Sequence, residues 1–555
     1  MKSKHSILGL IGLIILSAAS LHAQQAAATA SAQASPSVDQ ILNKIIQTEA
    51  EFADKFSQFH PLVETYIQDL GADKEVTFAP KTDNYFLGKL YFDASKKEQS
   101  FFEDIGFARS LIKSADKLAS MHYVPEGFAG MLVLGKDFNR NNYAFEYVRR
   151  EFLGEVRCLV FDIKPERGQK GTFSGRIWVE DRGYNIVRFN GINGSSSLTK
   201  VFFHFDSWRE NMGPALWLPS YVYTEESNLG YFFGRRKLRF KAQTKIWGYD
   251  VKASHQQDEL TALTVESDQV KDNIDQTDQT SPVQAFRMWQ RQAEDNVIQR
   301  LEKAALLAPS GEVNKVLETV VSNLEVTNNV DIIPEVRARV LLTSPLESFT
   351  IGHTIVLSRG IIDVLPDEAS LAMVLAHELA HITLGHTIDT KYAFEDRMFF
   401  RDEDSFKGVY LRHEEKEEIE ADQRAIEYLK NSPYKDKLGN AGLFLRALNA
   451  RAAQLPHLLQ TNLGDALVRD RNLMRMAELM QSAPELEVKR LDQIAALPLG
   501  GRVRLDAWTA NIELAKSSAV PLLFPREKMP FEVTPVFLHL TRQTQATQTT
   551  ATIGK

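Results

Sequence analysis

The spacing of apolar residues divides this chain into segments of different character. From Ser37 to about Leu70, Ile41, Ile45, Ile46 and Phe52 recur at helical spacing and predict an amphipathic helix. From about 75 to 260 the period falls to two and aromatics become frequent. Within that stretch Thr172–Glu180, a turn at Asp181-Arg182-Gly183, and Tyr184–Phe189 read as a hairpin. Val201–Phe205, Leu216–Tyr223 and Lys237–Trp247 read as further strands of one antiparallel sheet. Residues 258–281 carry Gln, Asp and Thr with few large apolar side chains, the composition of a linker. Helical spacing resumes over Val283–Leu307 and Glu312–Leu324, and again over Asn440–Gln454 and Asp465–Met480. No 34-residue self-similarity marks a repeat array, and residues 494–532 give no clear element.

The fold class expected from this pattern is α+β and multidomain. A helix plus a curved antiparallel β-sheet domain fills 37–257, a mainly helical domain fills 282–482, and 483–541 is an extension packing on the latter. Length alone, 555 residues, calls for at least two domains. Hydrophobic residues make up 44%, charged residues 25%, and the formal net charge is −7, a balance that argues against nucleic acid as a partner. It leaves the oligomeric state open. Cys158 is the only cysteine, so no intrachain disulfide exists; within Glu155–Phe161 it reads as a small core residue.

The beginning of the chain adds a location. Lys2 and Lys4 precede an apolar run, Ile7–Leu16, and small residues lead to Leu21-His22-Ala23, the pattern of a secretory signal peptide cleaved after Ala23. The run falls short of the roughly 18–20 residues of a membrane span, and no other stretch reaches that length. Residues 24–36 then read as a flexible N-terminus and 542–555, rich in Thr and Gln, as a disordered tail. The expected location is a bacterial periplasm or the exterior of the cell.

The chemistry is concentrated in His377-Glu378-Leu379-Ala380-His381. Two histidines four apart on a helix share one face and reach a common point. The glutamate beside the first lies within reach of a water at that point, the arrangement of a zinc-activated hydrolase. Pro366-Asp367-Glu368 supplies a helix start, and Leu371, Val374, Leu375, Leu379 and Ile382 give the helix its apolar faces. A catalytic zinc takes three protein ligands. Glu418 shares a face with Ala421, Asp422, Ala425 and Leu429, so it can serve as the third ligand, with Asp422 hydrogen-bonding a ligating histidine. Spacing alone leaves that segment as either a ligand helix or an acidic solvated one. Between the two motifs, 387–412 is charged and aromatic and reads equally as a lid over the cleft or a packed surface loop.

HELAH, the Leu384-Gly385-His386 that follows, and the E-x-E-A-D of 418–422 resemble the HtpX-like and CAAX-prenyl-protease family of zinc metallopeptidases, nearest in style to its soluble periplasmic BepA-like branch. Ser344–Phe349 and Thr354–Ile361 stand where that family has a strand and turn before its metal helix, so the resemblance spans about 285–430. It implies one zinc per chain bound by His377, His381 and Glu418, with Glu378 as general base. Segment 346–357 would present an edge strand for an extended substrate. The family's downstream His-Pro and Arg have their nearest counterpart at Leu497–Arg502, without the histidine. The oxyanion-stabilising group is therefore open among His413, Arg424 and Arg502. The sheet segment Gly175–Gly191 resembles periplasmic lipoprotein-sorting half-barrels.

Two functions follow. One is a zinc metalloendopeptidase of envelope quality control, acting on unfolded or misassembled envelope proteins. The other is an envelope chaperone or lipid- or lipoprotein-binding protein with an inactive peptidase fold. A thermolysin-like enzyme would place its third glutamate closer to the second histidine than Glu418 stands to His381.

Overall fold

In the computed structural model of the chain, the residues described are 37–73, 77–90, 102–103, 131–135, 137–168, 173–193, 203–213, 215–230, 237–249, 282–386, 411–459, 463–469, 473–487, 493–515 and 531–542. The signal peptide, the flexible start, the linker, the lid-or-loop segment apart from 411–412, and the tail apart from 542 lie outside them.

Helix α1, Val38–Phe56, begins at Ser37, whose hydroxyl accepts from Gln40 N while the Gln40 side chain returns the bond. The helical spacing was expected to run to Leu70. Instead Pro61 closes the helical stretch and strand β1 starts at Leu62. The N-terminal sheet then comprises β1 Leu62–Asp73, β2 Thr77–Leu90, β3 Phe102–Glu103, β4 Tyr143–Leu153, β5 Val156–Pro165, β6 Phe173–Glu180, β7 Ile186–Asn193, β8 Phe203–Gly213, β9 Leu216–Gly230 and β10 Lys237–Trp247. Neighbours run β3-β2-β1-β10-β9-β8-β7-β6-β5-β4, and every pairing is antiparallel. Thus strands follow their sequence order from β4 to β10, and β1 closes onto β10 from the far end of the segment. Register shifts at Asp69/Leu70, Tyr147/Arg149, Trp208/Arg209 and Leu238/Phe240 bend the sheet. Gly175 and Gly191 face each other across β6 and β7, where a Cβ on Gly175 would run into the Asn190 carbonyl.

Phe161, Phe173, Phe189, Phe205, Trp208 and Trp217 fill the core of this half. Helix α1 packs on it through Ile45, Phe52 and Phe56, and Glu49 meets the Arg209 guanidinium at 2.7 and 2.8 Å. Both ends of that pair are buried, and the ring of Phe52 lies under the guanidinium. Cys158 sits on β5 with no exposed surface, and burial pushes its thiol up to about 12. It is a core thiol.

The second half is mainly helical: α2 Pro282–Lys303, α3 Glu312–Thr327, α4 Arg359–Val364, α5 Glu368–Leu384, α6 Glu415–Asn431, α7 Leu438–Arg451, α8 Pro456–Leu459 and α9 Ala477–Ser482. A small sheet of β11 Arg337–Leu341, β12 Glu347–Ile351, β13 Thr354–Ser358 and β14 Asp465–Ala466 runs in the order β11-β13-β12-β14. Two expectations are corrected here. Segment 346–357 is a free edge only in part: β13 is interior, and Glu347 and Ser348 of β12 pair with Ala466 and Asp465, whereas Phe349–Ile351 have no ladder partner on that side among the described residues. Asp465–Met480 is not one helix. It forms β14, then β15 Val468–Arg469 paired with β16 Leu473–Met474, and becomes helical only at Ala477. Hydrogen bonds from His413 to Asp465 and from Leu463 and Gly464 to Glu347 hold this stretch extended, overriding its helical spacing.

The two halves share buried polar contacts. Glu64 of β1 accepts from Arg359 Nη2 at 2.6 Å, Ser344 N at 2.6 Å and Ser344 Oγ at 2.7 Å. Trp247 Nε1 donates to the Ala305 carbonyl at 2.7 Å. The extension was expected to pack on the helical half, but 531–542 lies on the sheet, with Gln68 bonded to Phe531 O and Val533 N and Arg542 paired with Glu180. The extension also meets the helical half: Ala483 O accepts from Arg446 of α7, the Phe531 ring packs against Phe444 of α7, and Leu497–Val503 runs along 362–365, where Asp363 accepts from Gly500, Arg502 and Val503 N–H.

Asp83 of β2 binds the N–H groups of His457 and Leu458 and the His457 ring at 3.1 Å. That side-chain bond raises the His457 imidazole above its usual value. A raised folded pKa stabilises fully below the unfolded value of about 6.5 and is lost as pH climbs through the folded one. His457→Gln should therefore lower the melting temperature more at pH 5.5 than at pH 8. Equal losses at both values would show that the ring bonds without titrating.

Candidate metal centre

Helix α5 is capped at both ends. Asp367 accepts from Ser370 N at 2.9 Å, and Gly385 leaves the helix in the left-handed conformation with φ 74°. Its middle is wholly buried, so His377 and His381 face inward among apolar residues. Their Nε2 atoms stand 3.0 Å apart. Helix α6 crosses there and brings Glu418, whose carboxylate oxygens lie 3.5 Å from His377 Nε2 and 3.4 Å from His381 Nε2. All three side chains are at most 2% exposed.

Four-coordinate zinc with bonds of about 2.0–2.1 Å sets its ligand atoms about 3.3 Å apart. The three observed separations fit that cage. The donor set fits as well. Asp422 Oδ1 lies 2.8 Å from His377 Nδ1, which places the proton on Nδ1 and leaves the Nε2 lone pair aimed at the common point. Asp422 Oδ2 is held in turn by Met476 N at 3.0 Å. Burial, then the neighbouring His377 and His413, push the His381 imidazole far down in pKa, so it is a neutral ring. Its Nδ1 meets His386 Nδ1 at 3.0 Å.

Glu378 is fully buried. Its Oε1 accepts from Ser348 Oγ at 2.6 Å and from Arg475 Nη1 at 3.1 Å, while Oε2 has no hydrogen-bond partner. Arg475 also donates to Ser348 Oγ at 3.0 Å and pairs with Glu418 at 3.2 Å and Asp465 at 3.8 Å. One guanidinium therefore faces three buried carboxylates. His413 stacks on His381 with ring centroids 3.7 Å apart and is held by Asp465 at 2.9 Å. His413, Glu418 and Asp465 form a second cluster of metal-ligand type, but Asp465 is already bonded to the His413 ring and main chain.

Of the residues singled out in the sequence, the fold brings together His377, Glu378, His381, Glu418, Asp422 and His413. It leaves out Arg424, which pairs with Glu427 on the solvent side of α6, and Arg502, which donates to the carbonyls of Ile362 in α4 and Leu365 just after it. Arg475, Ser348 and Asp465 take part without having been singled out. Arg475 had one signal in the sequence. A lone arginine in Leu473-Met474-Arg475-Met476-Ala477-Glu478-Leu479-Met480 must find a buried anion.

Among solved structures, the chain is similar to a LolA-superfamily protein of Nitrosomonas europaea, at 13% identity and a TM-score of 0.17, covering 37% of this chain and 92% of that one. It is also similar to a DUF1329-family protein of Desulfovibrio piger, at 8% identity and a TM-score of 0.17, covering 38% of this chain and 92% of that one. No curated protein matches the chain. Among the described residues, no helix is long and apolar enough to cross a membrane. Residues 310–400 match the model of Peptidase family M48, a span that runs from α3 through β11–β13 to the paired histidines of α5. Over that span the chain is similar to peptidases of family M48.

Proposed function

We propose that the chain is a zinc endopeptidase of the bacterial envelope, with His377, His381 and Glu418 holding one zinc and Glu378 acting as general base. The convergence of two histidine Nε2 atoms and the Glu418 carboxylate at 3.0–3.5 Å carries this reading. Zinc bound there would polarise a peptide carbonyl and bring the pKa of a water from about 15.7 toward 7. The chain does the rest. Asp422 keeps the His377 tautomer, and Ser348 and Arg475 fix Glu378 through Oε1. Oε2 is the oxygen left to take a proton from the attacking water and return it to the leaving amine. Unfolded or misassembled envelope proteins are the substrates that the apolar start of the chain and this chemistry favour together.

The test is metal analysis of the purified protein alongside cleavage of unfolded casein, with and without a chelator. One zinc per chain and chelator-sensitive cleavage are expected. A well-folded protein that binds no zinc would sink the proposal, and zinc without cleavage would favour the binding-protein alternative. Asp422→Asn should weaken zinc binding by roughly 10–100-fold, because the amide no longer accepts as a charged partner of His377. A zinc affinity unchanged in that variant would remove Asp422 from the site.

A further inference from the structure

A cavity of about 900 Å³ lies between the N-terminal sheet and the peptidase half, away from the paired histidines in its lining. Two of the residues lining it are cations that ordinary folding would not leave there. Lys245 of β10 is 7% exposed and Arg359, at the start of α4, is fully buried. Lys245 Nζ has no hydrogen-bond partner, and neither do Nε and Nη1 of Arg359. Burying a cation without a partner costs several kcal/mol.

Of the nearby carboxylates, Glu312 and Glu513 line the cavity at exposed positions, and the buried ones are engaged elsewhere. Glu64 takes Arg359 Nη2, both donors of Ser344, and the Tyr85 hydroxyl. Asp363 is turned to the N–H groups of Gly500, Arg502 and Val503. Glu210 pairs with Arg504 at 3.3 Å, and burial pushes its carboxyl up to about 7. The lone amino group thus stays unanswered, and burial together with Arg359 pulls Lys245 down to about 8.

The wall keeps the space open. At Gly500, with φ +88°, a Cβ would stand 2.7 Å from Gln243 Oε1 and 3.6 Å from Lys245 Nζ, so only glycine lets the main chain pass so near. A Cβ on Gly501 would meet nothing within 4 Å. Around the cations the lining is largely apolar, with Ile246, Val313, Val503 and Leu505. The volume is that of a site for a whole small molecule rather than a bare ion.

We propose that this cavity binds an amphiphilic anion, with its carboxylate or phosphate at Lys245 and Arg359 and its apolar body along Ile246, Val313, Val503 and Leu505. The opposite charge answers the orphaned donors, and the apolar part answers the walls. This inference is independent of the peptidase assignment.

Calorimetric titration of the full chain with octanoate, octyl phosphate, octanol and inorganic phosphate tests it. Octanoate or octyl phosphate should bind saturably, at least about ten-fold tighter than octanol or inorganic phosphate. Whichever of the two binds tighter identifies the headgroup as carboxylate or phosphate. Lys245→Met should weaken that binding about ten-fold without lowering the melting temperature of the unliganded protein, because it removes a buried charge that has no partner. Octanol binding as tightly as the anions, no saturable binding by either anion, or unchanged binding by Lys245→Met would each overturn the proposal.

Discussion

Glu378→Gln should lower the rate of casein cleavage by about 10³-fold and leave the zinc content at one per chain. General-base catalysis contributes 10²–10⁴-fold, and among the described residues no other carboxylate near the paired histidines has an oxygen both buried and without a hydrogen-bond partner while standing off the ligand set. The substitution is close to isosteric. Its amide oxygen can still accept from Ser348 Oγ and Arg475 Nη1, which bond only Oε1 in the native site. The amide nitrogen then replaces Oε2, and a nitrogen carrying two hydrogens cannot take a proton from water. The ligand atoms of His377, His381 and Glu418 are untouched, so metal binding should survive. A variant that keeps zinc and cleaves at the native rate would remove Glu378 from the reaction. One that loses zinc together with activity would show that Glu378 supports the ligands instead of the chemistry.

The parts of this site that were legible in the sequence are those set by local geometry. His377 and His381 lie one turn apart, Asp367 and Gly385 mark the ends of their helix, and Glu418 and Asp422 repeat the one-turn spacing on α6. Hairpin β6–β7 was legible for the same reason, since alternation and the Asp181-Arg182-Gly183 turn are both local. What was hidden depends on chain segments that meet only after folding. Ser348 reaches Glu378 from a strand 30 positions away, and Arg475 reaches it from 97 positions away, with nothing in either spacing to announce it. The span Asp465–Met480 misled because an apolar period cannot reveal that Asp465 will be drawn to His413 and pinned as a strand. Likewise the closure of β1 onto β10 joins the two ends of a long segment, and no local pattern encodes it.

Arg475→Met should cut kcat/KM by roughly 10²-fold, and the melting temperature should fall much further in metal-free protein than in zinc-loaded protein. The native guanidinium is 2% exposed and is the cation facing Glu378, Glu418 and Asp465. Breaking a buried ion pair from one side costs about 3–5 kcal/mol, because the charges left behind have no counter-ion. Bound zinc would answer part of the Glu418 charge, so the loss should shrink when metal is present. The effect on rate has a separate origin. Arg475 and Ser348 together hold Oε1 of Glu378, and a base free to rotate spends less time with Oε2 toward the water. Arg475→Lys separates the two effects. It restores a cation, and with it most of the metal-free stability, but one ammonium cannot reproduce a planar fork that reaches Ser348, Glu378 and Glu418 at once. The lysine variant should therefore be nearly as stable as wild type and still slow, with the defect in kcat rather than KM because the contacts lie on the base. Native kcat in Arg475→Lys would show that charge alone is required. A methionine variant equally stable with and without zinc would show that the guanidinium does not balance these carboxylates.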